Sequence, residues 1–205
     1  MNKNNDVKSM LKDAGILFAI TLIAGLVLGF VYDLTKEPIR VQQELAIQRA
    51  CQAVFANAES FEAQKYVPTE DMLAELDNMG VEIGTVFEAK DASGSSLGYV
   101  VETTSSEGYG GDITLYAGIN NEGMLNGISI LSIAETPGLG MNAESVLVPQ
   151  FENVKATLFR YTKSGKNASD EIDAISGATI TTKAVVNAVN GAIHVIQQDF
   201  MKGGN

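Results

Sequence analysis

An uncharged apolar run near the N-terminus restricts what this chain can become more than any other feature of its sequence. The run extends from Ala14 to Tyr32, and its 19 residues include no charged side chain. A helix needs about 20 apolar residues to cross the hydrocarbon of a bilayer. A signal peptide has a shorter apolar core and a small-residue cleavage site, whereas this run ends in Phe30-Val31-Tyr32-Asp33. We therefore expect a retained transmembrane helix over residues 14–32.

The basic residues around the run predict its orientation. Three lysines come before it and two basic residues follow it: Lys3, Lys8 and Lys12, then Lys36 and Arg40. Cytoplasmic flanks of membrane helices carry an excess of Lys and Arg. The small excess before the run favours a cytoplasmic segment at residues 1–13 and a single pass, with the rest of the chain outside the cytoplasm.

The residues after the run indicate a helix followed by a globular domain. Pro38 suits the first turn of a helix, and helical spacing of apolar residues continues from about Glu37 to Ala58. We therefore expect a connecting helix within residues 33–62 and a globular domain at residues 63–205. Cys51 is interpreted as a small apolar packing residue, because no basic cluster surrounds it in the sequence.

Residue patterns in the globular part predict an α+β fold with a mainly antiparallel sheet flanked by helices. Partial alternation of apolar and polar residues around turn residues predicts two hairpins, Val86–Lys90 with Leu97–Thr103 and Ile113–Ile119 with Met124–Ile133. Helical patterns predict three helices: Glu70–Asn78, Asn142–Val154 with an interruption at Pro149, and the strongly amphipathic Ala184–Phe200.

Charge and residue counts exclude several kinds of site. The net charge of −11 argues against nucleic-acid binding, because nothing would replace the counterions on the phosphates. One cysteine and one histidine are too few for an iron–sulfur or zinc site within the chain, so we expect no metal. His194 is interpreted as a surface or packing residue. No G-x-G-x-x-G follows a strand, so we expect no nicotinamide site.

The most informative stretch comes immediately before the final amphipathic helix. It runs from Asp173 to Thr179 and reads DAISGAT. Hydroxyl residues at a helix start commonly act as N-caps. The free N–H groups and dipole of a helix start also stabilise a phosphate, and the small Gly177 and Ala178 leave room for a bulky ligand. The residues alone are compatible with either role. Lys183 could either contact a phosphate or be exposed to solvent.

The same stretch resembles the flavinylation motif of the FMN-binding domain family. In that family a flavin transferase joins the phosphate of FMN to the hydroxyl of the last threonine in Ser/Thr-Gly-Ala-Thr. The resemblance implies FMN held covalently by a phosphoester to Thr179. It also implies that the neighbouring residues of the motif lie close to the cofactor: Ser176, Gly177, Ala178 and Thr182.

A second stretch narrows the resemblance. Residues 135–140 read ETPGLG, and the Pro137-Gly138 pair predicts a turn. The stretch resembles a loop shared by the RnfG proteins of Rnf ion-translocating electron transport complexes and the NqrC proteins of sodium-translocating NADH:quinone reductases. The resemblance implies that this loop and the glycine-rich stretch 108–112 lie beside the flavin. The residues implied are Thr136, Leu139, Gly140, Tyr109 and Gly110.

The order of span, hairpins, ETPGLG and SGAT matches both groups of proteins. The short chain and the residues Met141-Asn142-Ala143 after ETPGLG resemble the RnfG proteins of anaerobic bacteria. This implies an electron-transfer subunit of a bacterial membrane complex that oxidises ferredoxin, reduces NAD and translocates sodium or protons. It implies other membrane and peripheral subunits and a flavin transferase as partners, and little or no activity of the chain alone. The alternatives are the NqrC component of the quinone reductase, an assembly module without redox chemistry, and a flavin-dependent reductase acting alone.

Overall fold

The computed structural model describes residues 3–155 and 157–201, with side chains from residue 8 onward. The chain divides into two compact units, Met1–Leu45 and Ala46–Asn205. Helix α1 (Lys3–Val54) contains the predicted span. Within the described residues, α1 is the one helix long and apolar enough to cross a membrane, and its most apolar stretch buries nothing against protein. An apolar helix without a protein partner is suited to anchoring the chain in a bilayer.

Helix α1 differs from the expectation in two places. Pro38 lies inside the helix rather than in its first turn. The sequence has a helical pattern on both sides of Pro38, so it does not show whether the proline begins a helix or lies inside one. The helix ends at Val54 instead of Ala58, because Phe55 and Ala58 turn inward and are only 5% and 6% exposed.

Five antiparallel strands form a sheet in which each strand pairs with the next along the chain. They are β1 (Ser60–Gln64), β2 (Val81–Lys90), β3 (Ser96–Ser105), β4 (Ile113–Asn120) and β5 (Leu125–Ile133). Both predicted hairpins and the α+β class are confirmed. The edge strand β1 was not predicted, because its only large apolar side chain, Phe61, leaves the alternating pattern too weak to detect.

The remaining elements are short except for the last helix. They are α2 (Glu70–Asn78), α3 (Ala143–Val146), the parallel pair β6 (Arg160–Thr162) and β7 (Glu171–Asp173), and α4 (Thr179–Val195) with a π-helical extension at Ile196–Phe200. The prediction for α2 is confirmed. Thr69 caps it, because its hydroxyl accepts a hydrogen bond from Met72 N at 3.2 Å.

One helix prediction was wrong, and another, the final helix, is confirmed except for its start. The expected helix Asn142–Val154 is only the four-residue α3, with 3-10 turns at Gly140–Asn142 and Val148–Phe151. Pro149 disfavours α-helical geometry in the residue before it, which breaks the helix there. Helix α4 begins at Thr179 and not at Ala184. Its first turn was missed because Thr181 and Thr182 are buried, and a hydrophobic pattern does not count threonines.

Different helices cover the two faces of the sheet. Ala117 packs in the cluster that contains Val185 and Val189 of α4, whereas Tyr116 packs with the end of α1, including Cys51. Successive residues of a strand point to opposite faces, so one strand serves both clusters. Cys51 is 1% exposed, which confirms its interpretation as a packing residue.

Strand pairing brings two loops that are distant in sequence to the same end of the sheet, where neighbouring strands begin and end. Ile113 pairs with Ser105 on one side and with Ile133 on the other. The β3–β4 loop at 106–112 and the segment that follows β5 therefore leave the sheet side by side. These two segments hold the glycine-rich stretch and the ETPGLG stretch.

Candidate functional site

Two tight turns of similar geometry lie against each other. In Thr136–Leu139 the last N–H donates to the first carbonyl at 3.1 Å, and in Ile175–Ala178 the same bond measures 3.0 Å. The third residues, Gly138 and Gly177, have φ of +76° and +79°. Glycine adopts such angles without a steric penalty, as a type II turn requires at this position. A Cβ on Gly177 would lie 3.0 Å from Leu139 Cδ2, so the turns are in close contact.

Helix α4 starts directly after the second turn and has no side-chain cap. Its N-cap residue is Ala178, whose carbonyl accepts the first helical bond from Thr182 N at 3.0 Å. The Thr182 hydroxyl donates to that carbonyl at 3.0 Å and accepts from Ile175 N at 3.1 Å. This hydroxyl therefore braces the turn and does not cap the helix. The N–H groups of residues 179–181 have no intrahelical acceptor, so the helix start is suited to binding an anion.

A cavity of about 470 Å³ opens where the turns meet. This volume lies within the range of roughly 300–1,000 Å³ that is typical of cofactor sites. Seven of the ten predicted site residues line it: Tyr109, Thr136, Leu139, Gly140, Gly177, Ala178 and Thr179. They come from three segments that are far apart in the sequence and meet only in the fold.

The other three predicted residues lie around the cavity and not on its wall. Ser176 is exposed at the corner of the second turn, Gly110 follows Tyr109 in the loop, and Thr182 is buried beneath the turn. Three lining residues were absent from the predicted set: Glu135, Ile180 and Thr181. Glu135 is the first residue of the ETPGLG stretch. Its acidic side chain follows an apolar strand and precedes a turn, and this unusual position could have identified it as a site residue from the sequence.

Glu135 connects two walls of the cavity. It is only 7% exposed, and its Oε1 accepts hydrogen bonds from Tyr109 N at 2.7 Å and Gly110 N at 3.2 Å. A Cβ on Gly140 would lie 2.8 Å from the other carboxylate oxygen and 2.7 Å from Thr181 Oγ1. The carboxylate therefore lies between the β3–β4 loop and the start of α4.

Lys183 and His194 both contact carboxylates. Lys183 Nζ lies 2.9 Å from Glu107 Oε2, and its side chain is 48% exposed, so the expected exposure to solvent is confirmed. His194 is paired with Glu75 on α2, as suits a residue between packed helices at the surface. Within the described residues, no group of three or more His, Cys, Asp or Glu side chains is arranged to hold a metal ion.

The cavity offers N–H groups at one place and exposed apolar surface around it. Tyr109, Leu139 and Ile180 are 70%, 40% and 52% exposed at its rim. The half-buried Thr179 carries a hydroxyl at the start of the helix. A ligand that combines a phosphate with a planar aromatic ring fits this set of groups, since the helix start favours the phosphate and the rim favours the ring.

Gly140→Ala should destabilise the site, because the added methyl would meet Glu135 and Thr181 side-chain atoms at 2.7 Å. Overpacking of this kind costs about 1–3 kcal/mol of unfolding free energy. Differential scanning calorimetry of the detergent-solubilised chain measures it. Gly127→Ala is the matched control, because a Cβ at Gly127 has no neighbour within 4 Å. Equal unfolding temperatures for the two variants would contradict the tight packing at Gly140.

Two family profiles match this chain. The profile of the FMN-binding domain matches residues 108–194, and that of the RnfG N-terminal region matches residues 1–54. The first match contains every residue that lines the cavity. The second contains the apolar run and ends where α1 ends.

Several proteins are similar to the chain over nearly its whole length. The G subunit of the Na(+)-translocating ferredoxin:NAD(+) oxidoreductase complex of Acetobacterium woodii is 35% identical, with 94% of each chain covered. The proton-translocating counterpart of Clostridium ljungdahlii is 32% identical, with 90% of this chain and 94% of the other covered. The G subunit of the ion-translocating oxidoreductase complex of Methanosarcina acetivorans is 29% identical, with 94% and 97% covered. The crystal structure of Shewanella oneidensis NqrC aligns at a TM-score of 0.49, with 19% identity and 73% of each chain covered.

Proposed function

We propose that this chain, which belongs to the RnfG family of ion-translocating oxidoreductase subunits, transfers electrons within such a membrane complex through bound FMN. Its relatives are named as subunits of ferredoxin:NAD(+) oxidoreductases, and its domain matches the FMN-binding profile. FMN supplies the reversible redox chemistry, while the protein contributes its location and surroundings. Other subunits of the complex are the partners expected for an electron carrier of this kind.

We further propose that FMN is attached by a phosphoester to the hydroxyl of Thr179. The observation that carries this proposal is the position of Thr179, which is the first residue of α4 and lines the cavity. An ester phosphate there would be stabilised by the free N–H groups of residues 179–181 and by the helix dipole. The threonine oxygen forms the new bond to phosphorus, the bond from phosphorus to the leaving group of an activated flavin donor breaks, and the hydroxyl proton is released. A flavin transferase is the expected catalyst.

The rest of the cavity would position the ring. Leu139 and Ile180 offer apolar surface beside the turn, and Tyr109 offers an aromatic side chain on the opposite loop. Gly177 and Ala178 keep the helix start open, because neither carries a side chain larger than a methyl group. Covalent attachment suits an open rim, since a ligand held only by such partly exposed groups would be lost to solvent.

The proposed topology places residues 1–13 in the cytoplasm, residues 14–32 in the bilayer, and the connecting helix (33–62) and flavin domain (63–205) outside. It is supported by the excess of lysine before the apolar run. Protease added to right-side-out spheroplasts should therefore release a fragment that carries the flavin. Digestion of that fragment only in inverted membranes would contradict this orientation.

Mass spectrometry of protein from native membranes tests the proposed attachment. The peptide that contains Ser176 to Lys183 should exceed its sequence mass by the mass of FMN minus one water. The control is the same chain expressed without a flavin transferase, which should show the sequence mass. An unmodified native peptide in colourless protein would contradict the proposal and favour an assembly role.

A further inference from the structure

The β3–β4 loop contributes a wall of the cavity although its own sequence gives it little rigidity. Residues 106–112 include three glycines, and Tyr109 between them is 70% exposed while lining the cavity. Glycine-rich loops lose more conformational entropy on ordering than other segments. An interaction from outside the loop must therefore hold Tyr109 in place.

The buried carboxylate of Glu135 supplies that interaction. Its Oε1 accepts from two successive backbone donors, Tyr109 N at 2.7 Å and Gly110 N at 3.2 Å. Bonds from N–H groups to a carboxylate are roughly twice as strong as those between neutral groups. Glu135 is only 7% exposed, so water competes weakly for these donors.

The glycines let the loop approach this carboxylate closely. A Cβ on Gly108 would lie 2.9 Å from Glu135 Oε1, and a Cβ on Gly110 would lie 2.2 Å from the carbonyl oxygen of Ala134. Larger residues would push the loop off Glu135. Gly108, Gly110 and Glu135 therefore form one structural unit, although Gly108 precedes Glu135 by 27 residues (135 − 108).

We propose that Glu135 is a positioning residue that holds Tyr109 and the β3–β4 loop as a wall of the flavin cavity. Its carboxylate acts through the loop backbone and forms no bond to the cofactor. The assignment of this wall to a flavin site rests on the function proposed above. The two hydrogen bonds from Tyr109 N and Gly110 N to Glu135, called the strap below, do not rest on that function. The strap and the flavin site are therefore tested separately.

Hydrogen exchange tests the strap without flavin. The full-length chain carrying Thr179→Ala, which removes the proposed attachment point, is compared with the same chain carrying Glu135→Ala or Glu135→Gln. Glu135→Ala should raise amide exchange in residues 108–111 about tenfold, as expected for the loss of charge-assisted hydrogen bonds. Glu135→Gln keeps an acceptor oxygen and should raise it only about two- to threefold, so the conservative variant restores most of the protection.

Asn190 provides a matched control at a distance from the cavity. It is also 7% exposed and also holds a backbone residue by two bonds, from Phe159 N to its Oδ1 at 2.7 Å and from its Nδ2 to Phe159 O at 3.0 Å. Asn190→Ala should raise exchange around Phe159 and leave residues 108–111 unchanged. A general loss of stability would instead raise exchange in both segments in either variant.

A second readout uses the flavinylated protein. Loosening of the Tyr109 wall should increase the quenching of flavin fluorescence by iodide about twofold in Glu135→Ala, with little change in Glu135→Gln or Asn190→Ala. If the wild-type chain carries no flavin, the proposed function fails. The exchange result still shows whether Glu135 holds the β3–β4 loop.

Two outcomes would overturn the proposed strap. One is exchange at residues 108–111 that is the same in Glu135→Ala as in its parent. The other is an increase there that Asn190→Ala reproduces. If Glu135→Ala does not fold, the comparison of Glu135→Gln with its parent tests the strap alone. Unchanged exchange at residues 108–111 in Glu135→Gln would then contradict a role for the carboxylate charge.

Discussion

Thr179→Ala should abolish the flavin fluorescence of the membrane-expressed chain in a denaturing gel. The reason is chemical, because alanine has no hydroxyl oxygen to carry the phosphoester, and the loss should therefore be complete. The fold should persist, since Thr179 is half-buried at the helix start and its side chain caps nothing. In-gel fluorescence, normalised to protein and supported by intact mass, measures the effect.

Two variants serve as controls for this experiment. Thr179→Ser keeps the oxygen and should retain fluorescence at least in part. Ser145→Ala removes an exposed hydroxyl outside the ETPGLG and SGAT stretches and should retain it fully. Ser145 is a better control than Thr182, whose hydroxyl makes two hydrogen bonds that brace the turn. Fluorescence that survives in Thr179→Ala would show that the attachment site is another residue.

Phe151→Ala should cause the largest loss of stability among the changes considered. Phe151 is fully buried, and its ring meets that of Phe159 edge-on, with centroids 5.1 Å apart and an angle of 77° between the rings. Removing a buried phenyl ring leaves a cavity and costs about 3–5 kcal/mol. For a chain of this size such a change lowers the unfolding temperature by roughly 10 °C, which scanning calorimetry measures.

Val146→Ala is the matched control in the same segment. Val146 closes α3 and is 38% exposed, so its truncation should change the free energy of unfolding by only about 0.5 kcal/mol. Similar losses for the two variants would contradict the packing of Phe151 described here. Because the Phe151 segment leads from the ETPGLG turn towards the core, flavin content in Phe151→Ala also reports how strongly the cavity depends on that core.

Features that depend on neighbouring residues could be predicted from the sequence. The apolar run at 14–32, the two hairpins and the Pro137-Gly138 turn each follow from short-range patterns, and the structure contains all of them. The resemblance of ETPGLG and SGAT to known motifs identified most of the residues that line the cavity. These successes share one physical basis, because turn geometry and strand alternation are set by a few consecutive side chains.

The cavity itself arises only in the folded chain. Its walls meet because Ile113 pairs with both Ser105 and Ile133, which brings together loops that are far apart in sequence. The strap from Glu135 and the brace from Thr182 depend on distances that no local pattern encodes. The apolar run and the turns thus follow from the sequence alone, whereas the free helix start becomes a site only when packing sets Leu139 and Tyr109 around it.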